Sequence, residues 1–182
     1  MYTYCLNNPI IHADSCGTDA CIVIDDDGAI GFGHIGFLVE DDEGQWWHFY
    51  WGPQNGLIPI IGIDVQNASW CVEYDGEISL EAINESGQYG ETYDRMIYLL
   101  GNFSDCIDVA KSLDSKYNLY NNNCSHVSLG TLSKANTPYK DQLDHAATFC
   151  IIPKCAFRYL ENTCKTITPR GCRGRDMLTV LD

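Results

Sequence analysis

"GFGHIGFLVEDDEGQWWHFYWG" (Gly31–Gly52) reads as a β-hairpin, because two runs rich in β-branched and aromatic residues flank the turn-forming "DDEG". Side chains alternate between the two faces of a strand, so parity decides which residues look the same way. An odd-length loop, such as the three-residue "DEG" ending in Gly44, keeps even-spaced positions together, so that His34 and His48 can share a face, whereas an even-length loop would split them unless a bulge intervenes. A histidine inside "GHIGF" is unusual for a buried strand. Gly33 and Gly36 beside it remove side chains and leave room for another backbone or a substrate.

Around the hairpin the chain reads as short strands and then helices. "ACIVID" (Ala20–Asp25) is a β-branched strand ending at "DDDG", and "DRMIYLLGNF" is another strand. "SWCVEYDG" and "GLIPIIGIDV" are further strand candidates, with Pro59 pushing the latter to an edge. "SLEAINES" has room for one or two helical turns. A helix is predicted over Ser104–Tyr117, with Ser104 as N-cap, Asp105 and Asp108 in the first turn, and Ile107, Ala110 and Leu113 at helical spacing. A second begins near Cys124, capped by Asn122 or Asn123, and ends at Asn136–Pro138. Beyond Pro138 the apolar residues come in patches and end in the basic "TPRGCRGR". The expectation is one α+β domain over 1–182, an antiparallel sheet with packed helices. Its core spans about 20–137, followed by a less regular, Cys-rich C-terminal extension over 138–182.

Composition bounds the function classes. With 45% hydrophobic and 20% charged residues, the chain can bury a full core. No apolar run approaches the roughly 20 residues that span a bilayer, so no integral membrane segment is expected. The opening "MYTYCLNNPIIHADSC" has no basic n-region followed by an apolar h-region, which leaves a cytoplasmic location or export without a recognisable signal. Residues 1–110 carry 19 acidic side chains against one base, Arg95, whereas residues 111–182 carry ten bases and six acids. That field repels nucleic acid and tolerates a cationic protein partner. The ten cysteines include no C-x-x-C pair, and the Cys150, Cys155, Cys164, Cys172 spacing lacks the paired knuckles of structural zinc. Neither a metal nor a cofactor is expected, and the cysteines read as buried thiols or one or two disulfides.

"YNLYNNNCSHVSLG" (Tyr117–Gly130) supplies the candidate nucleophile. Cys124 falls in the first turn of a helix, where unpaired N–H groups and the dipole favour a thiolate. The candidate bases are His12, His34, His48, His126 and His145. His126, two residues on, points about 200° away along the helix. Pairing Cys124 with His145 leaves only "DQLD" and a Pro-broken stretch to build a sheet before the base. The two hairpin imidazoles can share a face, where His48 could orient His34 as the third member of a triad does, or either could be an ordinary packed strand histidine. A metal site on His34, His48 and Cys124 is a separate reading of the same residues.

The order "GHIGFLVE", "WWHFYWG", "YNLYNNNCSHV" resembles the lecithin:retinol acyltransferase-like group of circularly permuted, NlpC-type papain-like cysteine hydrolases, over roughly residues 30–135. The resemblance implies a permuted papain-like core, with His34 as general base, His48 as the orienting residue and Cys124 as nucleophile. The expected chemistry is acyl transfer through a thioester, with helix N–H groups and an amide from Asn122 or Asn123 on the oxyanion. The substrate expected first is an amide or peptide bond, including cell-wall-type peptides, and second a lipid ester. For the latter, Trp46, Trp47, Phe49, Tyr50 and Trp51 either line an apolar groove or simply form hairpin core. The acidic N-terminal half should raise the imidazole pKa and favour a thiolate–imidazolium pair. The rival from another class is a non-enzymatic acidic interaction or inhibitor protein.

Overall fold

In the computed structural model, residues 18–53, 64–86 and 92–164 are described. Five strands form: β1 (Ala20–Asp25), β2 (His34–Glu40), β3 (Trp46–Tyr50), β4 (Trp70–Tyr74) and β5 (Arg95–Leu99). The helices are α1 (Gly28–Gly31), α2 (Leu80–Glu85), α3 (Asp105–Ser112), α4 (Cys124–Leu132), α5 (Lys140–Phe149) and α6 (Pro153–Cys164). The architecture is α+β, one antiparallel sheet in the order β4-β3-β2-β1-β5 with packed helices. No helix among the described residues is long and apolar enough to cross a membrane. His12, Cys5, Cys16, Cys172 and most of "GLIPIIGIDV" lie outside the described residues.

The hairpin takes the register its turn dictates. The Asp41 N–H donates to Gln45 O at 2.8 Å, leaving Asp42, Glu43 and Gly44 as the loop, with Gly44 at φ 83°. Asp41 Oδ1 accepts from the N–H groups of Glu43 and Gln45, which holds the turn. Leu38 then stands opposite His48, so His34 and His48 share a face by parity. β2 starts at His34 and not at Gly31, because Ala29 and Ile30 take left-handed φ of 48° and 59° in the α1 turn. The glycine space serves the protein's own backbone. A Cβ on Gly33 would meet Lys154 and one on Gly36 would meet Phe49 O and the Tyr93 hydroxyl.

The two sheet faces are covered unequally. Ile22, Ile24, Ile35, Phe37, Val39, Phe49 and Leu99 face the α3–α6 layer and form the main core. Cys21, Val23, Leu38 and Tyr74 face the other way, beside Ile83 of α2 and Tyr93. This division splits the hairpin aromatics. Trp47, Phe49 and Trp51 join the main core and Trp46 packs on the second, so they line no common groove.

Residues 140–164 depart from the expected irregular extension. They form α5 and α6, whose Leu143, Ala146, Ala147, Ala156, Phe157 and Leu160 are buried at three- and four-residue spacing. Cys150 and the short Ile151–Ile152 link broke the periodic pattern that would have marked two helices. Arg95 locks this layer to the sheet, bonding Asp26 through Nε and Nη2 (2.8 and 2.6 Å) and Glu161 through Nη1 (2.7 Å). The helix predicted over Ser104–Tyr117 ends early, at Ser112, where Leu113 turns extended and Tyr117 bridges to Val65.

Candidate active site

Cys124 is the first residue of α4, and Asn123 explains why the helix starts there. Asn123 Oδ1 accepts from the N–H groups of Ser125 and His126 (3.0 and 3.2 Å), from the Ser125 hydroxyl (2.8 Å) and from His126 Nδ1 (2.9 Å). Its Nδ2 donates to Leu119 O and Ile151 O at 2.9 and 2.7 Å. Both amide hydrogens are thereby used, and those of Asn122 go to Ser115 Oγ and Lys116 O. Neither side chain keeps a donor for an oxyanion. Asn123 is a cap and a brace.

Asn123→Ala should therefore lower stability by about 2–4 kcal/mol, the loss of a cap plus two carbonyls left without a donor. Asn123→Asp, which keeps the accepting oxygen, should recover part of it. Urea denaturation of the three proteins checks this.

α4 grips the start of β2 by its peptide groups. The β2–β3 ladder begins at Phe37–Phe49, so the first residues of β2 have no β3 partner. In its place, Cys124 Sγ accepts the Ile35 N–H at 3.5 Å and Ser128 Oγ donates to Ile35 O at 3.3 Å. Positions 124 and 128 are i and i+4, on one stripe of the helix. The sulfur thus lies at the residue next to His34. By strand alternation the imidazole itself projects to the opposite sheet face from Ile35.

All three candidate residues are buried: Cys124 is 0% exposed, His48 2% and His34 6%. His34 Nε2 is sealed from solvent and has no hydrogen-bond partner. Its ring lies 4.7 Å from that of Tyr50, which stacks at 5.0 Å on Trp70. His48 Nε2 meets the Tyr93 hydroxyl at 3.0 Å, and its ring stands edge-on to Trp70 at 4.9 Å. His48 therefore makes no hydrogen bond to His34 Nε2. Tyr117 completes the cluster. Burial pushes its hydroxyl pKa up, as do the neighbouring Cys124 and Tyr50, while the Cys124 backbone N–H against it acts the other way.

Burial overrides the acidic surroundings that were expected to raise the imidazole pKa. It pushes His34 down to about 4, and burial plus the nearby His34 push His48 down to about 3. Both rings are neutral at pH 7. In the unfolded chain an imidazole titrates at about 6.5. As pH falls below 6.5 the unfolded chain takes up protons that the folded one resists, so stability is lost down to about pH 4. The loss should be of order 3 kcal/mol per imidazole. Melting temperatures measured between pH 7 and pH 4 check it, and His48→Gln should flatten the acid decline.

The other candidates fall elsewhere. His145 packs on Tyr159 and Phe149 at 4.6 and 4.9 Å, away from the cluster. His126 lines an open groove of about 660 Å³ between α3, α4 and α5, on the far side of the helix from Ile35. Among the described residues, no group of three or more His, Cys, Asp or Glu is placed to hold a metal ion, so His34, His48 and Cys124 do not form such a set. The seven described cysteines are thiols. Tyr117 and Ser128 were given no role by sequence reasoning, and Tyr50 was read only as a groove or core aromatic, although it lies two residues from His48 on the same face. Comparison with family models, curated proteins and solved structures finds no match to this chain.

Proposed function

We propose that the protein is a cysteine-dependent acyl-transfer enzyme, a hydrolase or acyltransferase with a permuted papain-like core, in which Cys124 is the nucleophile and His34 the general base. One observation carries the reading. His34 Nε2 is a buried nitrogen without a partner, one residue along the chain from the amide that holds the Cys124 sulfur. Buried polar atoms are nearly always satisfied, and an exception asks for a functional reason.

The neutral imidazole takes the Cys124 thiol proton as the sulfur attacks a carbonyl carbon. The Ile35 N–H and the α4 N-terminus stabilise the charge that develops on sulfur. The leaving group departs with that proton, and water or a second nucleophile then releases the thioester. The oxyanion falls beside the Cys124 N–H and the Tyr117 hydroxyl. His48, held by Tyr93, keeps the second imidazole of the face fixed and uncharged. Because the sulfur is sealed, a substrate reaches it only after a neighbouring segment withdraws. The α1 turn, whose Gly28 abuts His34, is that segment. Its left-handed Ala29 and Ile30 cost about 1–2 kcal/mol each.

An amide or peptide bond, including a cell-wall-type peptide, is the first reading of the substrate. A lipid ester is the second, and a specific observation favours it. The exposed large hydrophobics among the described residues are Ile30, Phe32, Tyr120, Phe149, Ile151 and Ile152. They come from the α1 turn, the loop before Cys124 and the α5–α6 region. Exposed apolar side chains of this kind suit an acyl chain. Hydrolysis of 4-nitrophenyl esters of rising chain length, measured beside peptide amides, tests both. Activity that grows with chain length supports the ester, activity on amides alone supports the first reading, and none on either refutes the proposal.

A further inference from the structure

We propose that Cys150 and Cys155 form a thiol–disulfide switch that moves the α5–α6 connector and thereby disturbs the Cys124–His34 site. The pair brackets "CIIPKC", with Cys150 directly after α5 and Cys155 in the first turn of α6. Cys155 is exposed and Cys150 half-buried, whereas Cys21, Cys106, Cys124 and Cys164 are buried. The Cys155 N–H donates to Ile152 O at 2.9 Å, which closes the first turn of α6 on the connector's last residue. Burial and the nearby Cys155 together push the Cys150 pKa up, so the two thiols feel one another.

Between these thiols lie the two backbone groups that brace the site. Ile151 O accepts from Asn123 Nδ2 at 2.7 Å, and Asn123 immediately precedes Cys124. The Lys154 N–H donates to Phe32 O at 3.2 Å, two residues before His34. Lys154 also packs so tightly on Gly33 that a Cβ there would come within 2.9 Å of its side chain. Ile151 and Ile152 are each 40% exposed, so little packing resists a shift of the connector.

The oxidant is a low-molecular-weight disulfide, such as oxidised glutathione. The Cys155 thiolate attacks one sulfur, forming a mixed disulfide and releasing one thiol, which carries off the Cys155 proton. Cys150 then displaces the second thiol, which takes its proton. Two protein thiols are oxidised and one disulfide is reduced to two thiols. An S–S bond of about 2.05 Å draws residue 155 toward residue 150, and the displaced peptide groups are those on Asn123 and Phe32.

The effect on turnover rests on the acyl-transfer reading, whereas the disulfide and the displacement do not. The full chain is treated with oxidised glutathione, alkylated and digested with trypsin, and amide hydrogen exchange is followed in parallel. Cleavage places Cys150 in Asp141–Lys154 and Cys155 in Cys155–Arg158. The two peptides should be recovered joined and separate on reduction. Exchange over residues 30–35 and 119–126 should rise about tenfold in the oxidised protein and return with dithiothreitol. Cys155→Ser should show neither change. Peptides recovered separately, Cys150 paired elsewhere, or joined peptides with unchanged exchange would overturn the switch. Joined peptides with altered exchange but no turnover in either redox state would uphold the switch and count against the acyl-transfer reading alone.

Discussion

Cys124→Ala should lower turnover of any accepted ester or amide by about 10⁴-fold or more and abolish the acyl adduct, with the fold retained. The nucleophile is the one atom of the mechanism that nothing nearby replaces. Cys21 and Cys106, the other buried thiols of the sheet and α3, face different surroundings, Cys106 donating to Thr131 O at 3.2 Å. Loss of the sulfur also leaves the Ile35 N–H without its acceptor, so a stability cost of about 1 kcal/mol should accompany the lost activity. Circular dichroism, turnover and intact mass on the same preparation separate the two effects. A variant that keeps wild-type turnover would place the nucleophile elsewhere.

His34→Gln should cost about 10²–10⁴ in turnover, the usual contribution of a positioned base. Glutamine nearly matches the ring in size, so the Gly28 turn and the Tyr50 contact should persist. The same change removes a buried imidazole that resists protonation, and the variant should lose less stability than wild type between pH 6.5 and about 4. A packing histidine would give the stability effect without the kinetic one. Steady-state rates beside pH-dependent melting decide between them.

The sheet was legible wherever local chemistry fixed it. The hairpin itself was readable from "DDEG", while the shared parity of His34 and His48 depended on an odd loop, which the three residues ending in Gly44 supply. β1 was readable to its ends because "ACIVID" is uninterrupted and the Asp run stops it. The cap at Asn123 was narrowed to two residues, since only geometry tells which of three successive asparagines turns into the helix. Tertiary context hid the rest. Nothing local shows that α4 stands in for a missing strand partner of Ile35, or that Asn123 spends its amide on Leu119 and Ile151. Charge counting gave the wrong sign for the imidazoles, because the acidic side chains are solvated at the surface while desolvation acts on the ring itself. Likewise α5 and α6 emerge only once the Ala and Leu positions have a layer to pack on.

A sealed, neutral imidazole and a sulfur gripped by a strand amide have to act as one. The pH–rate profile for acylation of Cys124 by 4-nitrophenyl acetate, with the adduct mapped by mass spectrometry, tests that coupling most directly. If His34 removes the proton, the wild-type rate should be flat from about pH 5 to pH 8, with an acid limb near 4, and His34→Gln should instead climb about tenfold per pH unit. The same climb in both proteins, or an adduct that maps to a different cysteine, would contradict it.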